Sequence, residues 1–166
     1  MLDQRPGTPG EWVMLSYRMP RDPSTRRIAV WRKLKALGVG QISDGLVALP
    51  ADARTREHLE WIAEEVLEAE GSASLWIARP TTLATERALA ASMAEARAAE
   101  YAALTAEAAA APASVTARQS LARRLRTELR RIQRRDYFPP AEREKAVSAI
   151  ESLAMLDVSR TKRVSS

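Results

Sequence analysis

Eight arginines crowd the twenty residues from Thr116 to Arg135, at positions 118, 123, 124, 126, 130, 131, 134 and 135, against one acid, Glu128. On a helical wheel Arg123, Arg126, Arg130 and Arg134 lie away from the apolar stripe Leu121, Leu125, Leu129 and Ile132. Arg124, Arg131 and Arg135 form a second row beside them. Like charges at i,i+4 cost a helix a few tenths of a kcal/mol per pair, which an anionic partner relieves. Phosphates along a duplex suit such rows, because each neutralised phosphate releases condensed counterions. A second basic run spans Arg18 to Lys35, where Arg18, Arg21, Arg26, Arg27, Arg32, Lys33 and Lys35 stand against Asp22 alone. Arg26 and Arg27 fall in the first turn of a helix, where the dipole disfavours cations. The plain alternative for both runs is a solvated face answered by acids elsewhere.

Such acids exist. Glu57, Glu60, Glu64, Glu65 and Glu68 surround the outer side of a helix, and Trp61 projects among them. An indole held among carboxylates suggests that something covers it. A basic helix of the same chain, or of a dimer mate, fits its charge and its ring. Two readings of the arginines therefore stand: nucleic-acid contacts by Arg26, Arg32, Lys33, Arg123, Arg124, Arg126, Arg130, Arg131, Arg134 and Arg135, or a structural and oligomerisation module whose basic helix pairs with its own acidic helix. An oxyanion has one place where arginines meet helix N-terminal amides. That is the start of the first helix, with Arg18, Arg26 and Arg27 as its candidate ligands.

Catalytic chemistry finds little footing. The chain has no cysteine and one histidine, His58, which excludes disulfides, thiolate metal sites and histidine pairs. The acid pairs Glu60/Glu64 and Glu64/Glu68 face outward, whereas a carboxylate-bridged metal needs inward ligands on several helices. Gly38-Val-Gly40 lacks the phosphate-loop pattern. A binder is expected rather than an enzyme, and no cofactor is implied. The chain has 166 residues, 46% apolar and 28% charged, with net charge +5. No apolar run approaches the ~20 residues of a membrane span. The polar, turn-rich start MLDQRPGTPG does not read as a signal peptide. A cytoplasmic protein is expected.

Punctuation sets the elements. Residues 1–10 read as a loose tail. Glu11–Tyr17 reads as a buried strand ended at Pro20. Ser24 or Thr25 is expected to cap a helix to Leu37, stopped by Gly38. Its apolar arc is Val30, Trp31, Leu34 and Leu37, with Ile28 at the edge. Val39–Ile42 and Leu46–Leu49 flank Asp44-Gly45, a hairpin signal. A helix from Arg54 to Ala69, with the stripe Leu59, Ile62, Val66 and Leu67, stops at Gly71. Ala73–Ala78 is a last strand. The order β-α-β-β-α-β is the ferredoxin-like pattern. The fold class expected is α+β: a ferredoxin-like core at 11–79 and a helical extension at 82–156, followed by a flexible tail at 157–166. Trp31, Leu34, Leu46, Ile62, Val66 and Trp76 are expected to be buried. A four-stranded sheet leaves one face open, and the segment 84–111 is Ala-rich and allows close helix approach. A homodimer is therefore expected.

The segment Ile28-Ala-Val-Trp-Arg-Lys-Leu-Lys-Ala-Leu-Gly38, followed by Asp44-Gly45-Leu-Val-Ala-Leu-Pro50 and by Asp136-Tyr137-Phe138-Pro139 after a basic helix, resembles the N-terminal domain of the ChrB family of chromate-resistance regulators. The likeness covers about residues 11–156. The first two motifs also look like the central domain of PaaX-type repressors, which is similar in fold to the small nucleases of CRISPR spacer acquisition. The resemblance implies a DNA-binding regulator linked to chromate. It does not carry nuclease activity over, since those enzymes use an Asp at the end of the first strand, where this chain reads Ser16-Tyr17-Arg18-Met19. The family usually bears a further C-terminal domain tied to chromate sensing. This chain ends at Ser166, so either it is a stand-alone form or a separate chromate-sensing polypeptide is a partner.

Overall fold

The computed structural model describes residues 8–161, with side chains to Met155. Its elements run β1 (Trp12–Arg18), α1 (Ser24–Leu37), β2 (Gly40–Ser43), β3 (Leu46–Pro50), α2 (Ala53–Glu68), β4 (Ser72–Ala78), α3 (Leu83–Ala109), α4 (Val115–Arg134) and α5 (Glu142–Thr161). Two compact units divide between Met93 and Ala94, within α3.

The first unit is a four-stranded antiparallel sheet in the order β2-β3-β1-β4. With α1 and α2 as crossovers, this is the ferredoxin-like arrangement expected from the element order. Alternation along the strands sorts the two faces. Val13 and Leu15 of β1 lie opposite Leu49 and Val47 of β3, and all four are fully buried. With Val30 and Leu34 of α1 and Leu59, Ile62 and Val66 of α2 they make the core. The other face carries Trp12, Met14 and Ala48. There the first turns of α3 cross the sheet: a Cβ built on Gly40 would sit 2.7 Å from Leu89 Cδ1 and 2.9 Å from Met93 Sδ. Trp12 Nε1 donates to Glu86 Oε1 at 2.9 Å, fixing the start of α3 to β1.

Local chemistry explains the boundaries. Gly38 ends α1 in the left-handed region at φ 76°, its N–H returning to Leu34 and Lys35 carbonyls. Gly45 turns the hairpin at φ +74°, and a Cβ there would lie 2.5 Å from the Tyr17 carbonyl oxygen. Asp52 and Thr55 form a reciprocal capping box at the start of α2. The expected cap of α1 is different. Pro23, not Ser24 or Thr25, occupies the N-cap position, and no side chain accepts a bond there. Pro23 is extended, so the two hydroxyl residues enter the first turn, past the place from which they could cap it.

Three burial expectations change. Trp76 is 61% exposed. It pairs with Met14 on the sheet face turned away from α1 and α2, and β4 is an edge strand, so no neighbouring strand flanks it on one side. Leu67 is 55% exposed, because it lies roughly 110° from the centre of the arc made by Leu59, Ile62 and Val66. Trp31 and Leu46 are only half-buried, whereas Leu34, Ile62 and Val66 are buried as expected.

The second unit is helical. Tyr101, Leu104 and Ala108 of α3, Ala122, Leu125, Leu129 and Ile132 of α4, and Ala146, Ile150 and Leu153 of α5 form one buried cluster. Ser114 caps α4, accepting from the Ala117 N–H at 3.4 Å. Helix α5 continues to Thr161, past the expected end at 156. Residues 1–7 and 162–166, at the two expected tails, lie outside the described residues.

Candidate nucleic-acid interface

Packing the Leu stripe of α4 inward forces its arginines outward. Arg123, Arg124, Arg126, Arg130, Arg131 and Arg134 are all exposed. They do not have equal freedom. Arg124 is ion-paired to Glu107 of α3, and Arg131 to Glu128 one turn back at 3.3 Å. Arg123, Arg126, Arg130 and Arg134 make no ion pair among the described residues; Arg130 Nη2 donates only to Thr127 Oγ1, at 3.4 Å. At 100° per residue, Arg123, Arg130 and Arg134 fall within about 40° of one another over a length of about 17 Å. The result is a straight, unneutralised cationic stripe with Arg126 along its flank.

Arg135 does not belong to that stripe. Its side chain turns inward, Nη2 donating to Glu100 Oε1 at 3.0 Å and Nη1 to the Arg131 carbonyl at 3.3 Å. There it joins a polar network beneath the turn after α4. Arg97 Nε lies 3.1 Å from Glu100 Oε2, and Tyr101 Oη donates to Asp136 Oδ2 at 2.7 Å. Arg143 Nη1 approaches the same Asp136 oxygen at 3.7 Å, and the Asp136 side chain has no exposed surface. Burial, and then the bond to Asp136, raise the Tyr101 phenol above its ordinary value. Burial lowers the Arg97 guanidinium, against the opposing pull of Glu100. The sequence placed Arg135 on the outer rows by wheel position alone. It is the C-cap residue, where the chain leaves the helix and the wheel no longer applies.

The basic run of α1 is largely answered locally. Lys33 Nζ bonds Glu65 Oε2 of α2 at 2.6 Å, and Arg26 Nη1 reaches the Glu68 carbonyl at 3.5 Å. Arg32 is exposed and has no ion pair among the described residues. The proposed oxyanion ligands separate. Arg18 and Arg27 line one cleft of about 520 Å3, together with Tyr17, Trp31 and the acid Asp44. Arg26 lines another, beside Asp22, Glu68 and Glu70. Each group thus carries carboxylate neighbours.

Two features complete the surface. Along α2, Glu60 pairs with Arg56 and Glu65 with Lys33, while Glu57, Glu64 and Glu68 make no ion pair among the described residues. Trp61 is 58% exposed among them, its ring 6.0 Å from that of His58. The sequence reading did not find the apolar cleft of about 520 Å3 between the sheet and the start of α3, lined by Trp12, Met14, Ile42, Pro80 and Leu89. Its lining comes from all four strands, the β4–α3 connection and α3, none of which signals it alone. Among the described residues, no group of three or more His, Asp or Glu side chains could hold a metal ion, and no helix is long and apolar enough to cross a membrane.

Fold and surface together define a ferredoxin-like α+β module joined to a helical unit with a basic outer face. The family model "Protein ChrB, N-terminal" matches residues 27–116, more than half of the chain, and the chain belongs to that family. Protein ChrB of Cupriavidus metallidurans is 33% identical over 60 residues, a stretch that spans 36% of this chain and 18% of that protein. An uncharacterized protein from Mycobacterium tuberculosis shares the fold, with a TM-score of 0.52 at 16% identity over 96% of this chain and 65% of that one.

Proposed function

We propose that this protein is a cytoplasmic DNA-binding transcriptional regulator associated with chromate resistance, acting as a binder rather than as an enzyme. One observation carries the DNA reading: the stripe Arg123, Arg130 and Arg134, with Arg126 beside it, is exposed and without an ion pair among the described residues. Four guanidinium groups held on one rigid helix meet phosphates with little further ordering, and the counterions they release favour binding. The chromate link rests on membership of the ChrB N-terminal family and on the likeness to Protein ChrB. A separate sensing polypeptide fits this reading, because the two oxyanion clefts of this chain each hold carboxylates.

The test is a fluorescence-anisotropy titration with duplex DNA from the promoter upstream of the gene. Four phosphate contacts predict that affinity falls about a hundredfold between ~50 and ~200 mM salt. Replacing Arg123, Arg126, Arg130 and Arg134 with Gln should remove most of that dependence. Binding that ignores salt, or that survives the fourfold replacement unchanged, overturns the reading.

A further inference from the structure

Two exposed helix stripes of opposite sign share one spacing. On α2, Glu57, Glu64 and Glu68 are separated by seven and then four residues; on α4, Arg123, Arg130 and Arg134 are separated in the same way. Each set lies within about 40° on its helix and spans about 17 Å. Neither set makes an ion pair among the described residues, although the neighbouring Glu60, Glu65, Arg124 and Arg131 all do. Between Glu57 and Glu64 stands Trp61, 58% exposed. The corresponding position between Arg123 and Arg130 is Thr127, small and uncharged.

We propose that α2 of one copy docks on α4 of a second copy, with Glu57, Glu64 and Glu68 against Arg123, Arg130 and Arg134 and with Trp61 covered over Thr127. In parallel register each carboxylate meets a guanidinium, and the indole lies between two arginine stems that can stack on its face. Charge complementarity selects the occupant. The matching face has the right sign, length and gap, and every copy of the chain carries it. Each copy also carries both faces, so two copies can close on each other through two equivalent contacts or extend into longer assemblies. Self-association stands independently of the DNA reading. Its consequence rests on that reading: DNA and a second copy compete for the same arginines, so the free protein stores its DNA-binding face in its own assembly.

The test uses the full chain without DNA, by sedimentation velocity over roughly 1–100 μM. Association is expected at ~0.1 M salt and should weaken at ~0.5 M salt, where screening shortens the reach of charges. Glu57→Arg, Glu64→Arg and Glu68→Arg together should weaken it about tenfold or more, as should Arg123→Glu, Arg130→Glu and Arg134→Glu together. An equimolar mixture of the two reversed variants should restore assembly. Circular dichroism checks each variant's fold, and Gln at the same three positions, Glu→Gln on α2 or Arg→Gln on α4, replaces any that fails to fold. A wild-type chain that stays monomeric throughout, reversals that change nothing, or a mixture that does not reassemble overturns the proposal. A wild-type chain that assembles but does not bind DNA would count against the DNA reading alone.

Discussion

Asp136 shows how one buried carboxylate holds a turn. Its side chain accepts from Tyr101 Oη and lies near Arg143, so it ties α3, the α4–α5 turn and α5 together. Removing it leaves a buried phenol and a half-buried guanidinium without their partner. Asp136→Ala should therefore lower the unfolding free energy by roughly 2–4 kcal/mol in a urea titration, and Tyr101→Phe by only about 1 kcal/mol. The same contact has a pH signature. Folded Tyr101 holds its proton above the ordinary value of 10.0, because burial and then the Asp136 bond disfavour the phenolate. Once the pH exceeds 10, the unfolded chain binds fewer protons than the folded one, so stability falls as pH rises. The urea midpoint should drop progressively as the pH rises above 10.0, and Tyr101→Phe should flatten that limb. Tyr17, raised by its burial and by Asp44, keeps a residual slope in that variant.

At the scale of elements, the order of strands and helices was legible because each boundary carries its own chemistry. Gly38, Gly45 and the Asp52–Thr55 box act within a few residues of chain, and local sequence suffices to read them. What sheets do with their edges was not legible. The alternation in Ser72–Ala78 shows that Trp76 and Leu75 face opposite ways, but the edge position of β4 follows from pairings made tens of residues away. The candidate interface divides along the same line. The outward direction of the α4 arginines follows from its Leu stripe, whereas the pairing of Arg124 with Glu107 and the inward turn of Arg135 depend on α3. Gly40 is a further case, since nothing near it in sequence announces that Leu89 and Met93 press against it. Gly40→Val should strain that crossing and cost about 2 kcal/mol, within the range for overpacked sites. Its expected sign is a lower melting temperature with far-ultraviolet circular dichroism unchanged at 25 °C.

At the scale of the whole molecule, the net charge of +5 attracts polyanions without saying which face receives them. Salt dependence can separate the two basic helices, because an arginine already paired with a carboxylate contributes little counterion release when DNA arrives. Each phosphate neutralised adds about 0.9 to the slope of log affinity against log salt. Replacing Arg123, Arg126, Arg130 and Arg134 with Gln should therefore reduce the slope by about 3 to 4. Replacing Arg26, Arg32 and Lys33 should reduce it by no more than about 1, since Lys33 is held by Glu65 and Arg26 leans on the Glu68 carbonyl. Anisotropy titrations at four or more salt concentrations give both slopes with the same DNA. A larger loss from the α1 set would move the interface to the ferredoxin-like unit. It would mean that the Lys33–Glu65 bridge opens on binding, exposed pairs of this kind being worth only about 0–1 kcal/mol.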